Sequence, residues 1–296
     1  MPELPEVETI SRELDARLRG RAIAGVRVIR PDVLREASGD QLAHACAGRT
    51  IMRVWRRGKT AVISLDGGWH LLIQPRFTGA VLVDGALQES EATTVSRGGS
   101  TQQNHGSPDG APGDPYSAIE WTLTDGGGFR YRDVRRLGTV KLADDAALRE
   151  YEERIGVEPL DPGFSAERLS GLLRVSRAAI KKVLMDQRVV AGIGNIYANE
   201  GLWRAGIDPS REARTLRADE VERLHGALVT TLAASVAARG TTFRDYRDPS
   251  NRAGGFAAQL LAYGRGGEQC VRCGTTLTET HAIDGRSTVF CHRCQR

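Results

Sequence analysis

The sequence predicts an α+β protein in which a β domain headed by one helix is followed by a helical domain and a short C-terminal unit. Three observations carry that expectation. Apolar residues fall in short runs of strand length between Ile23 and Lys141 and recur every three or four residues after Ala143, and the last thirty residues hold four of the five cysteines. A length of 296 residues, at roughly 150 residues per domain, suits two domains with cores of their own and one appended unit. The expected divisions are 1–143, 144–262 and 263–296.

The elements follow in order. Val7, Ile10, Leu14 and Leu18 share one helical face and Pro5 suits an opening turn, so a helix is expected over residues 5–18, closing at Gly20. Strand-type runs follow at 23–29, 51–55, 61–65, 69–73, 80–83, 119–123, 129–132 and 139–142. Turn sequences such as Asp66-Gly67-Gly68 and Asp125-Gly126-Gly127-Gly128 separate several of them, which suggests a β-sandwich or barrel. Residues 88–116 are polar, rich in Gly, Ser and Pro, and are expected to be a flexible surface insertion. Helices are expected over 178–187, 196–204 and, most clearly, 217–239, where Val221, Leu224, Leu228, Leu232 and Val236 keep helical spacing.

The C-terminal cysteines read Cys270-x2-Cys273-x17-Cys291-x2-Cys294, the spacing of a four-thiolate zinc site with each pair on a tight knuckle. Two disulfides are the alternative, disfavoured in a chain expected to reside in the cytosol. Four thiolates complete the tetrahedron of Zn²⁺ and leave no place for an activated water, so the metal is expected to be structural. His281 and His292 are then surplus as ligands, and Cys46 is expected to be a small buried side chain. Between the cysteine pairs, residues 283–290 read as a β-hairpin with Asp284-Gly285 at its start, placing Arg286 where a rigid tip can meet a phosphate.

Composition excludes a membrane protein by hydropathy: no run of 18 apolar residues is present. The acidic start, Met1-Pro2-Glu3-Leu4-Pro5-Glu6, lacks the features of a signal or transit peptide, so a bacterial-type cytoplasmic location is expected. The net charge of +4 hides an asymmetry, with 22 cationic against 25 acidic residues over 1–169 and 19 against 12 over 170–296. A basic C-terminal part permits a nucleic-acid partner without establishing one.

The N-terminal segment admits two readings. Pro5 and the acidic residues favour a helix N-terminus, which leaves Pro2 unexplained. Removal of Met1 would expose a secondary amine at Pro2 with Glu3 beside it. An α-amino group titrates at about 7.7–8.0 against about 10.4 for lysine, so it is a better nucleophile at neutral pH, and a secondary amine can form an iminium ion.

This start, together with Arg56-Arg57-Gly58-Lys59, Arg135-Arg136-Leu137-Gly138, the segments 179–187 and 192–200, Gly240-Thr241-Thr242-Phe243 and the terminal cysteine pairs, resembles the bacterial formamidopyrimidine-DNA glycosylases over almost the whole chain. The resemblance implies a β-sandwich, then a helix-two-turn-helix domain, then a zinc-finger hairpin. It also implies a monomer that acts on damaged double-stranded DNA at the nucleoid and removes 8-oxoguanine and formamidopyrimidines. Pro2 would attack C1′ of a nucleotide turned out of the duplex. Glu3 would protonate the sugar ring oxygen, and β- and δ-elimination would follow from the iminium.

By the same resemblance Lys59 lies near the lesion phosphate, flanked by Arg56 and Arg57 as DNA contacts; otherwise it is a solvated strand end. Asn195 and Arg286 would grip phosphates beside the flipped nucleotide, although Asn195 could serve only as a helix cap. Thr241 to Phe256 would close over the base. Arg135, with Phe77 where Met is usual and Leu137 where Phe is usual, would fill the hole left by that base, and Gln74-Pro75-Arg76 replaces the customary His-Leu-Gly. The alternative function is a paralogue that binds damaged DNA without cutting it.

Overall fold

The computed structural model describes residues 2–84, 114–242, 246–250 and 252–296. The polar segment expected at 88–116 lies outside the described residues except for its last three.

Helix α1 (Leu4–Leu18) buries Leu4, Val7, Ile10, Leu14 and Leu18 along one face, and the chain leaves it at Gly20 with φ of 81°. The strands that follow form a sandwich. One sheet has the order β1 (Ile23–Val28), β7 (Ser117–Leu123), β8 (Gly128–Asp133), β6 (Gly79–Val83). The other has the order β2 (Leu34–Arg35), β9 (Thr139–Asp144), β5 (Trp69–Gln74), β4 (Thr60–Leu65), β3 (Ile51–Arg57). All pairings are antiparallel except β2 with β9. Ile63, Leu71, Val81, Ile119, Phe129 and Tyr131 fill the space between the sheets, with Trp121 stacked on Phe129 at 4.7 Å.

Within the sandwich two short elements escaped the sequence pattern, β2 and helix α2 (Gly39–Cys46), which buries only Leu42, Ala45 and Cys46. Helix α3 (Asp145–Arg154) packs Leu148 on Val62 and Leu72 of the outer face of the five-stranded sheet, so the covering of that sheet continues past residue 143. Burial on both faces explains why β4 carries three consecutive apolar residues, Ala61, Val62 and Ile63, rather than a strict alternation.

The helical region comprises α4 (Ala166–Arg174), α5 (Ile180–Met185), α6 (Asn195–Ala205) and α7 (Ala218–Ala237) around Leu184, Tyr197, Leu202, Leu224, Leu228 and Leu232. Leu4 of α1 also belongs to this core. The N-terminus is therefore plugged between the two domains. In the last unit β10 (Thr278–Thr280) pairs with β11 (Thr288–Phe290). This corrects the expected hairpin over 283–290: Asp284 and Gly285 lie in the loop between the strands, because the turn is longer than a two-residue one and the first strand lies upstream.

Candidate active site and nucleic-acid interface

The site starts from an unusual use of the N-terminus. Leu4 is fully buried in the helical core, and its N–H donates to Gly192 O at 3.0 Å. This places Glu3 at the first turn of α6, where backbone N–H groups have no partner within the helix. The Glu3 carboxylate takes them: Gly194 N–H donates to Oε2 at 2.7 Å and Ile196 N–H to Oε1 at 3.0 Å. Pro2 is buried beside it.

Lys59 comes from the β3–β4 turn, which reverses at Gly58 with φ of 57°. Its ammonium and the Glu3 carboxylate both crowd the bare Cα of Gly194. A Cβ there would lie 2.4 Å from Glu3 Cδ and 2.6 Å from Lys59 Nζ. Burial pulls the Lys59 pKa down and Arg286 adds to this, while the charge of Glu3 opposes it. Gly194→Ala must displace one of the two groups, and a misplacement of that size costs about 10²-fold in rate. Single-turnover base excision by the variant tests this; an unchanged rate would show that the contact has no bearing on activity.

A second buried carboxylate backs the site. Glu6 accepts from Glu3 N–H at 2.8 Å, Tyr197 O–H at 2.7 Å and Thr241 N–H at 2.7 Å, so one side chain joins the N-terminal turn, α6 and the segment after α7. Burial raises its pKa, with the hydrogen bond from Tyr197 opposing. Sequence reasoning saw only an acidic residue near a helix start, because all its partners except Glu3 lie about 190 or more residues away in the chain.

These groups open into a cleft of about 870 Å³ walled by all three parts of the chain, with Pro2, Glu3, Lys59, Phe77, Asn195 and Arg286 among its lining residues. Arg286 stands exposed on the β10–β11 loop, and that loop is held from below. Lys181, with no exposed surface, donates to Thr288 Oγ1 at 2.7 Å, Ser287 O at 3.2 Å and Asp284 Oδ1 at 3.3 Å. Asn195 Nδ2 donates to Ser287 O at 2.9 Å, and Asn199 Oδ1 accepts from Val289 N–H at 2.7 Å. Asn195 thus ties α6 to the finger as well as facing the cleft. Lys181 and Asn199 sit in the segments 179–187 and 192–200, but nothing in their spacing announces this role. Lys181→Met removes three hydrogen bonds from a buried anchor, and DNA affinity measured by fluorescence anisotropy is expected to fall by about tenfold or more. Equal affinity in the variant would show that the loop holds its place without the anchor.

Arg56 and Arg57 correct an expectation. Their side chains are only 7% and 15% exposed and are turned inward. Arg56 pairs with Glu8 at 2.8 Å and Glu158 at 2.6 Å, and Arg57 with Glu158 at 2.9 Å. They fasten the connector after α3 to the sandwich rather than facing solvent, since the carboxylates that neutralise them come together only on folding. Phe77 (45% exposed) and Leu137 (46% exposed) project from the β5–β6 and β8–β9 loops. Buried Asp133 stitches these loops together, accepting from Thr78 O–H, Arg135 N–H at 3.2 Å, Gly138 N–H at 2.8 Å and Tyr131 O–H at 3.2 Å. Phe77 belongs to the cleft wall; Leu137 and Arg135 lie outside it.

The sulfurs of Cys270, Cys273, Cys291 and Cys294 all lie within 4.8 Å of one another. Cys273 and Cys291 are 3.5 Å apart, near the ~3.8 Å edge of a Zn–S tetrahedron and far beyond the ~2.05 Å of a disulfide. The donor set fits one structural Zn²⁺. His281 and His292 are exposed and outside the cluster. Cys46 is buried in the sandwich core, where desolvation pushes its thiol up to about 11.

Residues 1–140 match the family model of the formamidopyrimidine-DNA glycosylase N-terminal domain, 155–247 that of its H2TH domain, and 267–296 that of the zinc finger found in FPG and IleRS. The chain is 37% identical over 297 residues to the formamidopyrimidine-DNA glycosylase of Desulfitobacterium hafniense, covering 100% of both. It is 42% identical over 280 residues to that of Moorella thermoacetica, covering 94% of this chain and 93% of that one. Lactococcus lactis Fpg (MutM) in complex with N7-benzyl-Fapy-dG-containing DNA matches with a TM-score of 0.84 at 30% identity over 100% of both chains. The MutM (Fpg) protein of Thermus thermophilus matches with a TM-score of 0.81 at 32% identity, over 99% of this chain and 98% of that one.

Proposed function

Given that this chain belongs to the formamidopyrimidine-DNA glycosylase family, we infer that Pro2, Glu3 and Lys59 carry its chemistry. The protein is a DNA glycosylase that removes oxidised purines in base-excision repair, and abasic-site lyase activity is typical of the family. In the reading we propose, removal of Met1 frees the Pro2 amine in the cleft. Its nitrogen lone pair forms a bond to C1′. Glu3, oriented by the N–H groups at the start of α6, delivers a proton to the sugar ring oxygen as the ring opens and the damaged base leaves. The resulting iminium acidifies C2′–H, and successive loss of the C3′ and C5′ phosphates leaves a one-nucleotide gap.

Lys59 and Arg286 supply positive charge for phosphates at the cleft, and Asn195 contributes both a contact and the hold on the Arg286 loop. Such contacts position DNA without reading its sequence. Phe77, Arg135 and Leu137 are assigned to the space left by the extruded base, with Phe77 nearest the chemistry. We propose a monomer acting at the bacterial nucleoid. Among the described residues no helix is long and apolar enough to cross a membrane.

The observation that carries this reading is the convergence of Pro2, Glu3 and Lys59 on one cleft. Borohydride reduction in the presence of an 8-oxoguanine duplex is expected to trap one covalent protein–DNA adduct through residue 2. A chain with Met1 removed that binds the duplex and gives no adduct would overturn it in favour of a non-cleaving binder.

A further inference from the structure

Four non-glycine residues among those described adopt the left-handed backbone region: Glu36, Arg76, Arg136 and Arg239, with φ of 59°, 50°, 53° and 64°. A side chain makes that conformation unfavourable, and it persists where the surroundings over-determine it or where function uses the direction it gives. Three of the four have an internal use for their side chain. Glu36 pairs with Lys141, Arg136 with Asp32 at 3.1 Å, and Arg239 with Asp248 and Glu13. Arg76 has no hydrogen bond or ion pair to any described residue, is exposed, and lines the cleft.

Its surroundings hold it there firmly. Gly79 N–H closes the turn onto Pro75 O at 3.0 Å, and Thr78 O–H bonds Asp133 of the neighbouring loop. A Cβ on Gly79 would fall 2.2 Å from Pro75 O, so the turn is too tight to relax around residue 76. The result is an exposed arginine on the cleft wall, followed immediately by the exposed ring of Phe77. Lys59 and Arg286 line the same cleft. A cation paired in sequence with an exposed aromatic suits a nucleic-acid strand whose phosphate meets the charge and whose base meets the ring.

We propose that Arg76 is a phosphate-binding residue of this cleft, engaging the damaged strand beside the extruded nucleotide. The proposal rests on the glycosylase reading. It identifies a contact reached through backbone strain, on the wall of the cleft away from the finger. Phosphate fits better than a base edge because Arg76 shares the cleft with two further cations, Lys59 and Arg286, and such contacts position a strand without reading its sequence.

The test uses the full-length zinc-loaded protein and a duplex containing a tetrahydrofuran abasic analogue opposite C or A, with affinity measured across salt concentrations. Arg76→Ala is expected to weaken binding by about tenfold at low salt and to lower the salt slope by about 1, equally for both opposite bases. Arg76→Lys keeps most of the affinity. Arg76→Gly loses the same affinity while its Tm rises by about 2 °C, because glycine relieves the left-handed strain. A purely structural residue would move Tm and leave the salt slope alone. Unchanged affinity and slope in Arg76→Ala would overturn the proposal, and a loss confined to one opposite base would replace it with base-edge readout. A wild-type chain that does not bind the duplex would overturn the glycosylase reading and this proposal together; tight wild-type binding with an unaffected Arg76→Ala strikes the proposal alone.

Discussion

Glu3→Gln is expected to lower the rate of base release by about 10²–10⁴-fold while costing less than about tenfold in strand cleavage at a preformed abasic site. The difference follows from where the proton is needed. An intact nucleoside opens its sugar only if the ring oxygen is protonated, whereas an abasic sugar already equilibrates with its open aldehyde, which Pro2 can attack without acid help. The carboxylate also accepts from the N–H groups of Gly194 and Ile196, so the amide of Gln turns an N–H group towards one of these donors and some stability is lost. The abasic substrate serves as the internal control for that. Single-turnover excision of 8-oxoguanine and cleavage of an abasic duplex, run side by side, check the expectation. Equal losses on both substrates would mean that Glu3 only places the N-terminus.

The second large effect is expected from the metal. The finger's own buried apolar residues are few, Cys270, Leu277, Val289 and Cys291, two of them ligands, packed against Trp203 and Ala262 of the helical domain. A core of that size does not order thirty residues, whereas a structural zinc contributes about 10 kcal/mol or more. Chelation, or Cys291→Ser, is therefore expected to melt the finger and release the loop that carries Arg286. DNA affinity should drop by about 10²-fold. The sandwich has a separate core and should keep its own calorimetric transition. The checks are zinc release with a colorimetric indicator, anisotropy with a lesion duplex, and calorimetry on the same sample. Full affinity in the zinc-free protein would refute the structural role.

Helix α1, the eight longer strands of the sandwich and the cysteine tetrad were legible because each is a local pattern. Leu14 lies one helical turn from Leu18 whatever the rest of the chain does, and the two Cys-x2-Cys knuckles carry their spacing with them. Pro2 and Lys59 were singled out through motifs that resemble a known family, and both line the cleft. Arg56 and Arg57 show where such reading fails. A run of basic residues beside Lys59 has the same sequence whether it faces solvent or, as here, Glu8 and Glu158, the latter about 100 residues further along the chain. Lys181 and Glu6 fail for the converse reason. Each is an ordinary charged residue in its own segment and gains its role from partners that arrive from elsewhere.

By itself, then, the sequence determined the fold class, the order of the domains and the metal, and singled out Pro2 as the proposed nucleophile, since these depend on periodicity, ligand spacing and the chemistry of single residues. Tertiary structure alone decided which charges are free to act. It brought the N-terminal turn against the start of α6 and exposed Arg76 while burying Arg56 and Arg57. It also set Glu6 beneath Glu3 and Lys181 beneath the Arg286 loop. The physical reason is that a charge acts through its burial and its partners, and both are properties of the assembled chain rather than of any segment.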